Sequence, residues 1–326
     1  MQPLNDQPVT VSAPGKLFIL GEHAVVYDGT CIVTAVDSRL RMTLQASTGS
    51  ANPQLTITAP DVGLDGYTIP LYSVLAKQRF EGPSAFIESC VAVFHRQFTF
   101  QSGIQIETSS DFGATLGLGS SSATVAATLF GLATCFGISL SPGTLFQLGL
   151  EAIRQVQRLG SGADLAAAVY GGIVFYRNRE PRQVTTLETD QLPLLVIYSG
   201  AKAGTVSYVQ QVRALHERWP EPVDSIIQAM LQIVAAGWQA LLAGDYPALG
   251  QLMNMQHGLL HALGVDTPAL ASIVFAARQL GALGAKLSGA GGGDCAIALV
   301  APSQYAAMKE ALQAEGRHVL DIQVNA

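Results

Sequence analysis

The chain is poor in charge and in cysteine, and it lacks several signals that would point away from a cytoplasmic protein. Only 13% of its 326 residues are charged, and its four cysteines have no C-x-x-C spacing, which argues against a zinc site and a disulfide framework. The N-terminal segment lacks the basic patch and apolar core of a secretory signal. The apolar stretch 125–140 contains glycines and is too short to span a bilayer. We therefore expect a cytoplasmic protein.

A basic surface is also missing. The formal net charge is −6, and the estimated pI is near 5.5, so nucleic acid and anionic membranes are poor expected partners. Apolar residues make up 49% of the chain, which is enough for large buried cores. The partner that we expect is a small molecule bound in a cleft between two lobes, and a homodimer stays open.

The hydrophobic pattern predicts an α+β protein. Period-2 alternation indicates strands at 9–11, 16–20, 40–44, 55–57 and 104–106. Helical periodicity appears at 84–96, 121–135 and 142–157. The polar segment 178–182 marks a lobe boundary, so we predict lobes at 1–183 and 184–326. After a strand at 194–198 and four helical patterns, the order helix, strand, strand, helix, strand predicts a ferredoxin-like second lobe.

The sharpest motif is T-L-G-L-G-S-S-S-A-T, from Thr115 to Thr124, which leads into an alanine-rich helix. Glycines let backbone amides approach an anion, and a helix N-terminus offers free N–H groups and a positive dipole end. It is not a Walker A motif, because no G-K-[ST] follows at the required spacing. Phosphate binding and an ordinary helix start capped by Ser120 or Ser121 are equally compatible with these residues alone.

Two further segments carry unusual residues. K-L-S-G-A-G-G-G-D-C spans Lys286–Cys295 between two predicted strands, and its glycines indicate a close approach of backbone to backbone or ligand, with a flexible hairpin as the alternative. Near the N-terminus, a strand with Lys16 ends in Gly21, Glu22 and His23. Taken alone, those polar residues are better explained as solvated residues at a strand edge.

In combination and in this order, the three segments resemble the motifs of the GHMP kinases. P-G-K-x-x-x-x-G-E-H, G-L-G-S-S and K-L-S-G-A-G-G-G are all present, and the resemblance extends over essentially the whole chain. It implies a two-lobed GHMP kinase fold, with an N-terminal ribosomal protein S5 domain 2-like lobe and a C-terminal ferredoxin-like lobe. It also implies an ATP- and Mg²⁺-dependent kinase acting on a small alcohol.

The resemblance assigns roles to individual residues. Asp164, shortly before a Gly-Gly pair, is the expected catalytic base, and Lys16 is expected to lie close to it and to steady the developing negative charge. A helix-capping role for Asp164 is the alternative. Ser121 is expected to bind Mg²⁺, with Glu151 as the second ligand, although its distance along the chain from Asp164 is about two residues longer than in the family. The expected phosphate-binding residues are Gly117, Leu118, Gly119, Ser120, Ser121 and Ser122. The expected acceptor-binding residues are Lys16, Glu22, His23, Asp164, Thr205, Gly289, Ala290 and Gly291.

The motifs disagree in part about the acceptor. The G-E-H-A-V-V-Y sequence and the segment His257–Leu270 resemble the mevalonate-phosphorylating branch, which acts in isoprenoid biosynthesis. The G-S-G-A-D sequence before the Gly-Gly pair, and Asp294 after the glycine run, resemble the phosphomevalonate branch instead. Mevalonate is the expected acceptor, 5-phosphomevalonate is the alternative, and sugars are a third option. A catalytically silent nucleotide-binding protein is disfavoured, because Lys16, Ser121 and Asp164 are all present.

Overall fold

A computed structural model describes residues 2–3, 7–113, 116–157, 160–187 and 192–324. Among these residues the chain alternates between strands and helices, as expected for an α+β protein. The strands are β1 (Val9–Leu20), β2 (Thr30–Ser47), β3 (Gln54–Ala59), β4 (Leu64–Pro70), β5 (Gly103–Ser110), β6 (Ile173–Arg177), β7 (Gln183–Leu187), β8 (Leu194–Tyr198), β9 (Gly284–Ser288), β10 (Cys295–Leu299) and β11 (His318–Leu320).

The helices agree closely with the predicted pattern, including the four between 205 and 279. Short 3-10 helices lie at Ala24–Val26, Pro60–Val62 and Pro302–Gln304. The α-helices are α1 (Leu71–Ala76), α2 (Ala85–Gln97), α3 (Ser120–Cys135), α4 (Pro142–Gln157), α5 (Ala163–Tyr170), α6 (Thr205–Arg218), α7 (Pro220–Ala243), α8 (Tyr246–Ala262), α9 (Pro268–Gln279) and α10 (Tyr305–Ala314).

The contacts divide the chain into two compact units, each made of several segments. Unit 1 comprises Met1–Gly15, Ser38–Ala114 and Gly119–Tyr170. Unit 2 comprises Lys16–Asp37, Thr115–Leu118 and Gly171–Ala326. Because both units are discontinuous in sequence, the predicted lobe boundary after residue 183 stays a prediction.

Unit 1 contains a mixed sheet covered by helices. Strand β5 pairs antiparallel with β2 over residues 40–47 and parallel with β3, and β3 pairs antiparallel with β4. Helices α2 to α5 pack on one another, and Gly131 of α3 lies against Leu44 of β2. Buried Glu88 on α2 is held by Lys77, Tyr67 and Ser84, so this core acid has the partners that a buried carboxylate needs.

Unit 2 contains a second, four-stranded antiparallel sheet in the order β11-β8-β10-β9. The succession β8, helix, β9, β10, α10, β11 gives the ferredoxin-like arrangement predicted from the sequence. The register places Cys295 opposite both Tyr198 and Ser288, so the end of β8 and the end of β9 lie on either side of the start of β10. This juxtaposition positions the loop between β9 and β10.

Helix α7 is the one described helix that is long and apolar enough, by length and composition alone, to cross a membrane. Val223, Ile227, Met230 and Val234 are all buried, and the first three belong to the core cluster of unit 2. The core helices of soluble proteins meet the same criterion, so we read α7 as a core helix. The four cysteines are buried free thiols, in agreement with the absence of a disulfide framework.

Candidate active site

Within unit 2, Lys16 lies directly beside the first glycine loop. Its backbone N–H donates to the carbonyl oxygen of Leu118 (2.8 Å), and its Nζ donates to the carbonyl oxygen of Gly117 (3.3 Å). Nζ also lies 5.1 Å from the centre of the Phe18 ring, close enough for a cation–π contact. The side chain is only 6% exposed. Lys16 is therefore a buried cation fixed against the loop that was predicted to bind phosphates, and the edge-residue alternative is wrong for it.

The second glycine run forms the loop of the β9–β10 hairpin, and surrounding residues constrain it. The Gly292 N–H donates to the carbonyl oxygen of Val265 (2.8 Å). Gly292 has a φ of +80°, and a Cβ at this position would overlap with the ring of Tyr208. Only glycine meets both conditions. The close approach of backbone to backbone predicted from the sequence is therefore present, and the loop is not an unconstrained hairpin.

Three contacts connect the N-terminal motif to this hairpin. The hydroxyl of Ser288 accepts from the N–H of Phe18 (2.8 Å) and donates to its carbonyl oxygen (3.1 Å). Lys286 forms a buried ion pair with Glu22, and neither side chain is more than 1% exposed. Since breaking one side of a buried ion pair costs about 3–5 kcal/mol, this pair fixes the end of β1 to β9. Glu22 and Lys286 are not edge residues.

His23 adopts a rare backbone conformation between these contacts. Its φ and ψ are 60° and −48°, and the N–H of Ala24 donates to the carbonyl oxygen of Glu22 (2.7 Å), which closes a strained γ-turn. Nε2 lies 2.9 Å from the carbonyl oxygen of Ala290 and must donate to it. Burial lowers the pKa of His23, and the contacts with Ala290 and Glu22 oppose this only in part. His23 is therefore a neutral hydrogen-bonding group rather than a cation.

In unit 1, the remaining residues of the first glycine loop begin helix α3. Gly119 precedes the helix in the left-handed conformation (φ 77°), and Ser120 and Ser121 form its half-exposed first turn. Among the described residues, no side chain caps this helix start. The capping alternative for Ser120 or Ser121 is therefore wrong, because the cap position belongs to a glycine. The amides of the first turn are available to an anion.

Asp164 is half-buried in the first turn of α5. The helix begins at Ala163, so Asp164 is its second residue rather than the residue before it. The N–H of Ala166 donates to the carbonyl oxygen of Gly162, and the hydroxyl of Ser161 accepts from Ala163. Asp164 thus lies inside the first turn rather than at the cap position, where its charge suits the helix dipole. The capping alternative stays a prediction. Because Lys16 and Asp164 belong to different units, their expected closeness stays a prediction.

Glu151 lies on an exposed face of α4 and forms an ion pair with Arg96 on α2 (2.7 Å). Both side chains are about half exposed, at 50% and 57%. Its carboxylate therefore already has a cationic partner, which would compete with Mg²⁺ for it. Among the described residues, no group of three or more His, Cys, Asp or Glu side chains is arranged to hold a metal ion. Glu151 as a metal ligand stays an untested prediction, and its ion pair with Arg96 argues against it.

Sequence reasoning missed two residues that organise unit 2. Lys286 entered the sequence reasoning only as a flank of the glycine run, and Asp294 only as a mark of the acceptor branch. In the structure Lys286 holds Glu22, and Asp294 lies against Gly117. A lysine inside the short apolar strand β9 signals a buried cation that needs an acidic partner. Thr205 is the exposed first residue of α6, two residues after Ala203, which Asp294 contacts.

Comparison with known proteins establishes the family. The model of the GHMP kinases N terminal domain matches residues 85–172, and the model of the GHMP kinases C terminal matches residues 239–318. Curated relatives named mevalonate kinase are 32% identical in Thermococcus sibiricus and 33% identical in Pyrococcus furiosus, with 94% of this chain and 93% of each relative covered. The chain belongs to the GHMP kinase family.

Solved structures of GHMP kinases agree with this assignment. The structure of L. major mevalonate kinase in complex with R-mevalonate is 26% identical, with a TM-score of 0.79 over 99% of this chain and 98% of that one. The structure of Streptococcus pneumoniae phosphomevalonate kinase is 20% identical, with the same TM-score of 0.79, so it supports the fold alone. The predicted α+β GHMP kinase fold is confirmed, and the protein is a small-molecule kinase.

Proposed function

We propose that this GHMP kinase transfers the γ-phosphoryl group of ATP to the hydroxyl of mevalonate and yields 5-phosphomevalonate for isoprenoid biosynthesis. The observation that carries the proposal is the agreement, over nearly full length, with curated proteins named mevalonate kinase at about a third identity. The G-E-H segment that follows β1 supports it, because Glu22 and His23 are buried and fixed beside the β9–β10 hairpin. A small acceptor bound there would meet neutral and hydrogen-bonding groups.

Phosphomevalonate is a less suitable acceptor. Its extra phosphate would require additional cations, and the buried Lys286 is already paired with Glu22. His23 is kept neutral by burial, so it does not supply a second positive charge. The similarity to phosphomevalonate kinase structures, at 19% and 20% identity, extends to the fold only. These observations favour an acceptor without a phosphate group.

The proposed reaction is an in-line displacement at phosphorus. A bond forms between the acceptor oxygen and the γ-phosphorus, the bond to the bridging oxygen of ADP breaks, and the hydroxyl proton passes to the carboxylate of Asp164. Lys16 contributes a fixed positive charge next to Gly117, and the free amides at the start of α3 can bind phosphate oxygens. These groups act mainly through position and charge, which is what phosphoryl transfer requires.

Mg²⁺ fits a site of this kind, which offers few protein ligands. Mg²⁺ is usually bound by one or two protein oxygens together with nucleotide phosphates and water, rather than by a complete protein cage. The Ser121 hydroxyl, in the half-exposed first turn of α3, can provide one oxygen. When bound, the ion would neutralise phosphate charge. Glu151 could provide another oxygen only after its ion pair with Arg96 opens.

A coupled ADP-release assay decides the acceptor directly. Purified protein with ATP and Mg²⁺ is tested against mevalonate, 5-phosphomevalonate, galactose and homoserine at matched concentrations. We expect a kcat/KM for mevalonate at least tenfold above that for each of the others. Preference for 5-phosphomevalonate would overturn the proposal in favour of its alternative. ATP binding by titration calorimetry without turnover on any acceptor would indicate a catalytically silent nucleotide-binding protein.

A further inference from the structure

Asp294 occupies a position where glycine would be the default residue. It follows three glycines, and its φ of +58° lies in the left-handed region that few non-glycine residues adopt. The side chain is 9% exposed, so a carboxylate is held almost out of solvent. Asp and Asn tolerate this conformation better than other non-glycine residues, but they still carry a cost relative to glycine. The surroundings must compensate for this cost.

The compensation comes from the segment that precedes α6. The N–H of Ala203 donates to Oδ1 of Asp294 (3.0 Å). The N–H of Asp294 donates to the carbonyl oxygen of Ala201 (2.8 Å), and its own carbonyl oxygen accepts from the N–H of Ser199 (2.8 Å). One residue thus makes three hydrogen bonds with residues 199–203. This segment contains Lys202 and leads directly to Thr205, a predicted acceptor-binding residue at the start of α6.

The same side chain also lies against the first glycine loop. A Cβ on Gly117 would overlap with Cβ and Cγ of Asp294, so the two residues are in direct contact and only glycine fits opposite the aspartate. The neighbouring Cys295 contributes a second contact, since its Sγ donates to the carbonyl oxygen of Leu116 (3.3 Å). The start of β10 therefore touches both the glycine loop and the segment before α6.

From this geometry we propose that Asp294 is a positioning residue, which fixes the acceptor-side segment 199–205 against the Gly117 loop so that acceptor binding depends on its hydrogen bond to Ala203. Its part in acceptor binding rests on the proposed kinase function, whereas the ordering of the segment does not. The carboxylate acts as a hydrogen-bond acceptor, so the oxygen of an asparagine should replace it.

Two substitutions separate the hydrogen bond from the charge and from the backbone strain. Asp294→Asn keeps an acceptor oxygen and tolerates the left-handed conformation, so it is the matched control. Asp294→Gly relieves the backbone strain but removes the acceptor. We expect Asp294→Gly to raise KM for mevalonate about tenfold, the effect of one lost hydrogen bond, with kcat and KM for ATP changed less than threefold. Asp294→Asn should keep all three values within threefold of wild type.

Hydrogen–deuterium exchange measures the ordering without any substrate. In Asp294→Gly the amide of Ala203 loses its acceptor, so peptides covering 199–205 should exchange at least fivefold faster than in wild type, while Asp294→Asn should match wild type. Exchange in peptides from α9, which lies outside this contact, should be equal in all three proteins. Unchanged exchange in Asp294→Gly, or equal acceleration in both variants, would overturn the proposal.

A double-mutant cycle tests the contact with the glycine loop. Gly117→Ala introduces a methyl group into the space of the Asp294 side chain, and at a φ of +73° it also carries backbone strain. The strain is common to both backgrounds, so it cancels in the cycle. We expect Gly117→Ala to reduce kcat/KM for mevalonate at least tenfold more in wild type than in the Asp294→Gly background. Additive effects of the two substitutions would show that the contact between Gly117 and Asp294 does not influence acceptor binding.

Failure of this inference can be told apart from failure of the proposed function. If wild-type protein does not phosphorylate mevalonate, the kinase proposal fails, while the exchange measurements still decide whether Asp294 orders segment 199–205. If wild type is active and Asp294→Gly has wild-type KM for mevalonate, the positioning role fails and the kinase proposal stands.

Discussion

At the scale of single residues, Asp164 gives the most direct test of the chemistry. Asp164→Asn keeps the shape of the side chain but removes the base and its charge, so we expect kcat to fall roughly 10²–10⁴-fold. ATP binding measured by calorimetry should change little, because the phosphate-binding groups assigned above are elsewhere. Asp61→Asn, on the exposed 3-10 helix Pro60–Val62, is the control and should keep wild-type turnover. A wild-type kcat in Asp164→Asn would remove the proposed base.

A second residue-scale prediction concerns the stability of the protein at mildly acidic pH. Burial lowers the pKa of His257 from 6.5 to about 4, and the nearby Asp266 (3.5 Å from Nε2) opposes this only in part. Nδ1 of His257 is buried, and no partner for it occurs among the described residues. Between about pH 6.5 and pH 4, His257 binds a proton in the unfolded state but not in the folded state. Its contribution to the free energy of unfolding is therefore complete above pH 6.5 and is lost as the pH falls toward 4.

Urea unfolding at pH 7.5 and pH 5.0 measures this effect. Between these two values His257 should account for a loss of about 2 kcal/mol in the free energy of unfolding. His257→Gln should therefore lose about 2 kcal/mol less than wild type over the same interval, whatever its stability at pH 7.5. Exposed His318→Gln serves as the control and should follow wild type. Equal losses in wild type and His257→Gln would show that burial does not exclude the proton.

Residue-scale properties were the hardest to predict from the sequence. The motifs identified Lys16, Glu22 and His23, but they did not show that Glu22 is neutralised by Lys286 or that His23 is strained and uncharged. The pairing of Glu22 and the hydrogen bond that holds His23 join residues more than 250 positions apart. Burial and pairing of this kind are properties of the folded chain, and local sequence patterns carry no record of them.

At the scale of secondary-structure elements, helix α8 contains two glycines in different surroundings: Gly250 has no room for a side chain, and Gly258 has open space. Gly250 packs against Leu283 and Gly284 of the segment that enters β9, and a Cβ there would overlap with backbone atoms that cannot move aside. Gly258 lies on an exposed part of the same helix, and no described atom outside its own helix backbone lies within 4 Å of the place that a Cβ would take. Close approach of helix and strand thus explains the first glycine but not the second.

Alanine substitutions should therefore have opposite effects at these positions. Gly250→Ala should destabilise the protein by about 1–3 kcal/mol through overpacking, whereas Gly258→Ala should stabilise it by about 0.5–1 kcal/mol through helix propensity. Thermal or urea unfolding of the two variants beside wild type measures both changes. Destabilisation by Gly258→Ala would indicate that this face of α8 is covered in the folded protein.

Glu151 on α4 forms an ion pair with Arg96 on α2, and this contact between the two helices leads to a prediction about Mg²⁺. Because Arg96 already occupies its carboxylate, we expect Glu151→Gln to leave the Mg²⁺ concentration for half-maximal activity within twofold of wild type. The loss of an exposed ion pair should cost less than about 1 kcal/mol of stability. Arg96→Gln is the matched control. A several-fold higher Mg²⁺ requirement in Glu151→Gln alone would establish Glu151 as a metal ligand.

Helix positions were predicted well because their apolar periodicity is strong, and the predicted helix 142–157 is helical throughout as α4. Strands were less complete. The predicted strands 9–11 and 16–20 form one continuous strand, β1, across Pro14 and Gly15. The first half of β2, residues 30–37, was missed, because strands buried on both faces show a continuous apolar run instead of alternation.

At the scale of the whole molecule, a net charge of −6 works against an anionic nucleotide and a carboxylate acceptor. Binding must therefore rely on local groups: the buried cation Lys16, and the amides at the start of α3. Composition alone could exclude a general basic field, but it could not locate these groups. The three motifs, taken in their order along the chain, pointed to Lys16 and to the start of α3, because each motif combines glycines with polar or charged residues.

The same reasoning predicts that metal removal affects catalysis and not folding. No metal-ligating cluster of three or more side chains occurs in the part of the chain that the structure describes, so the fold should not depend on a bound ion. We expect excess EDTA to abolish ADP release in the presence of ATP and mevalonate, because the proposed mechanism uses Mg²⁺ together with the nucleotide phosphates. The Tm of the nucleotide-free protein should be unchanged within about 1 °C, and added Mg²⁺ should restore activity. A clear fall in Tm on adding EDTA would instead reveal a structural metal.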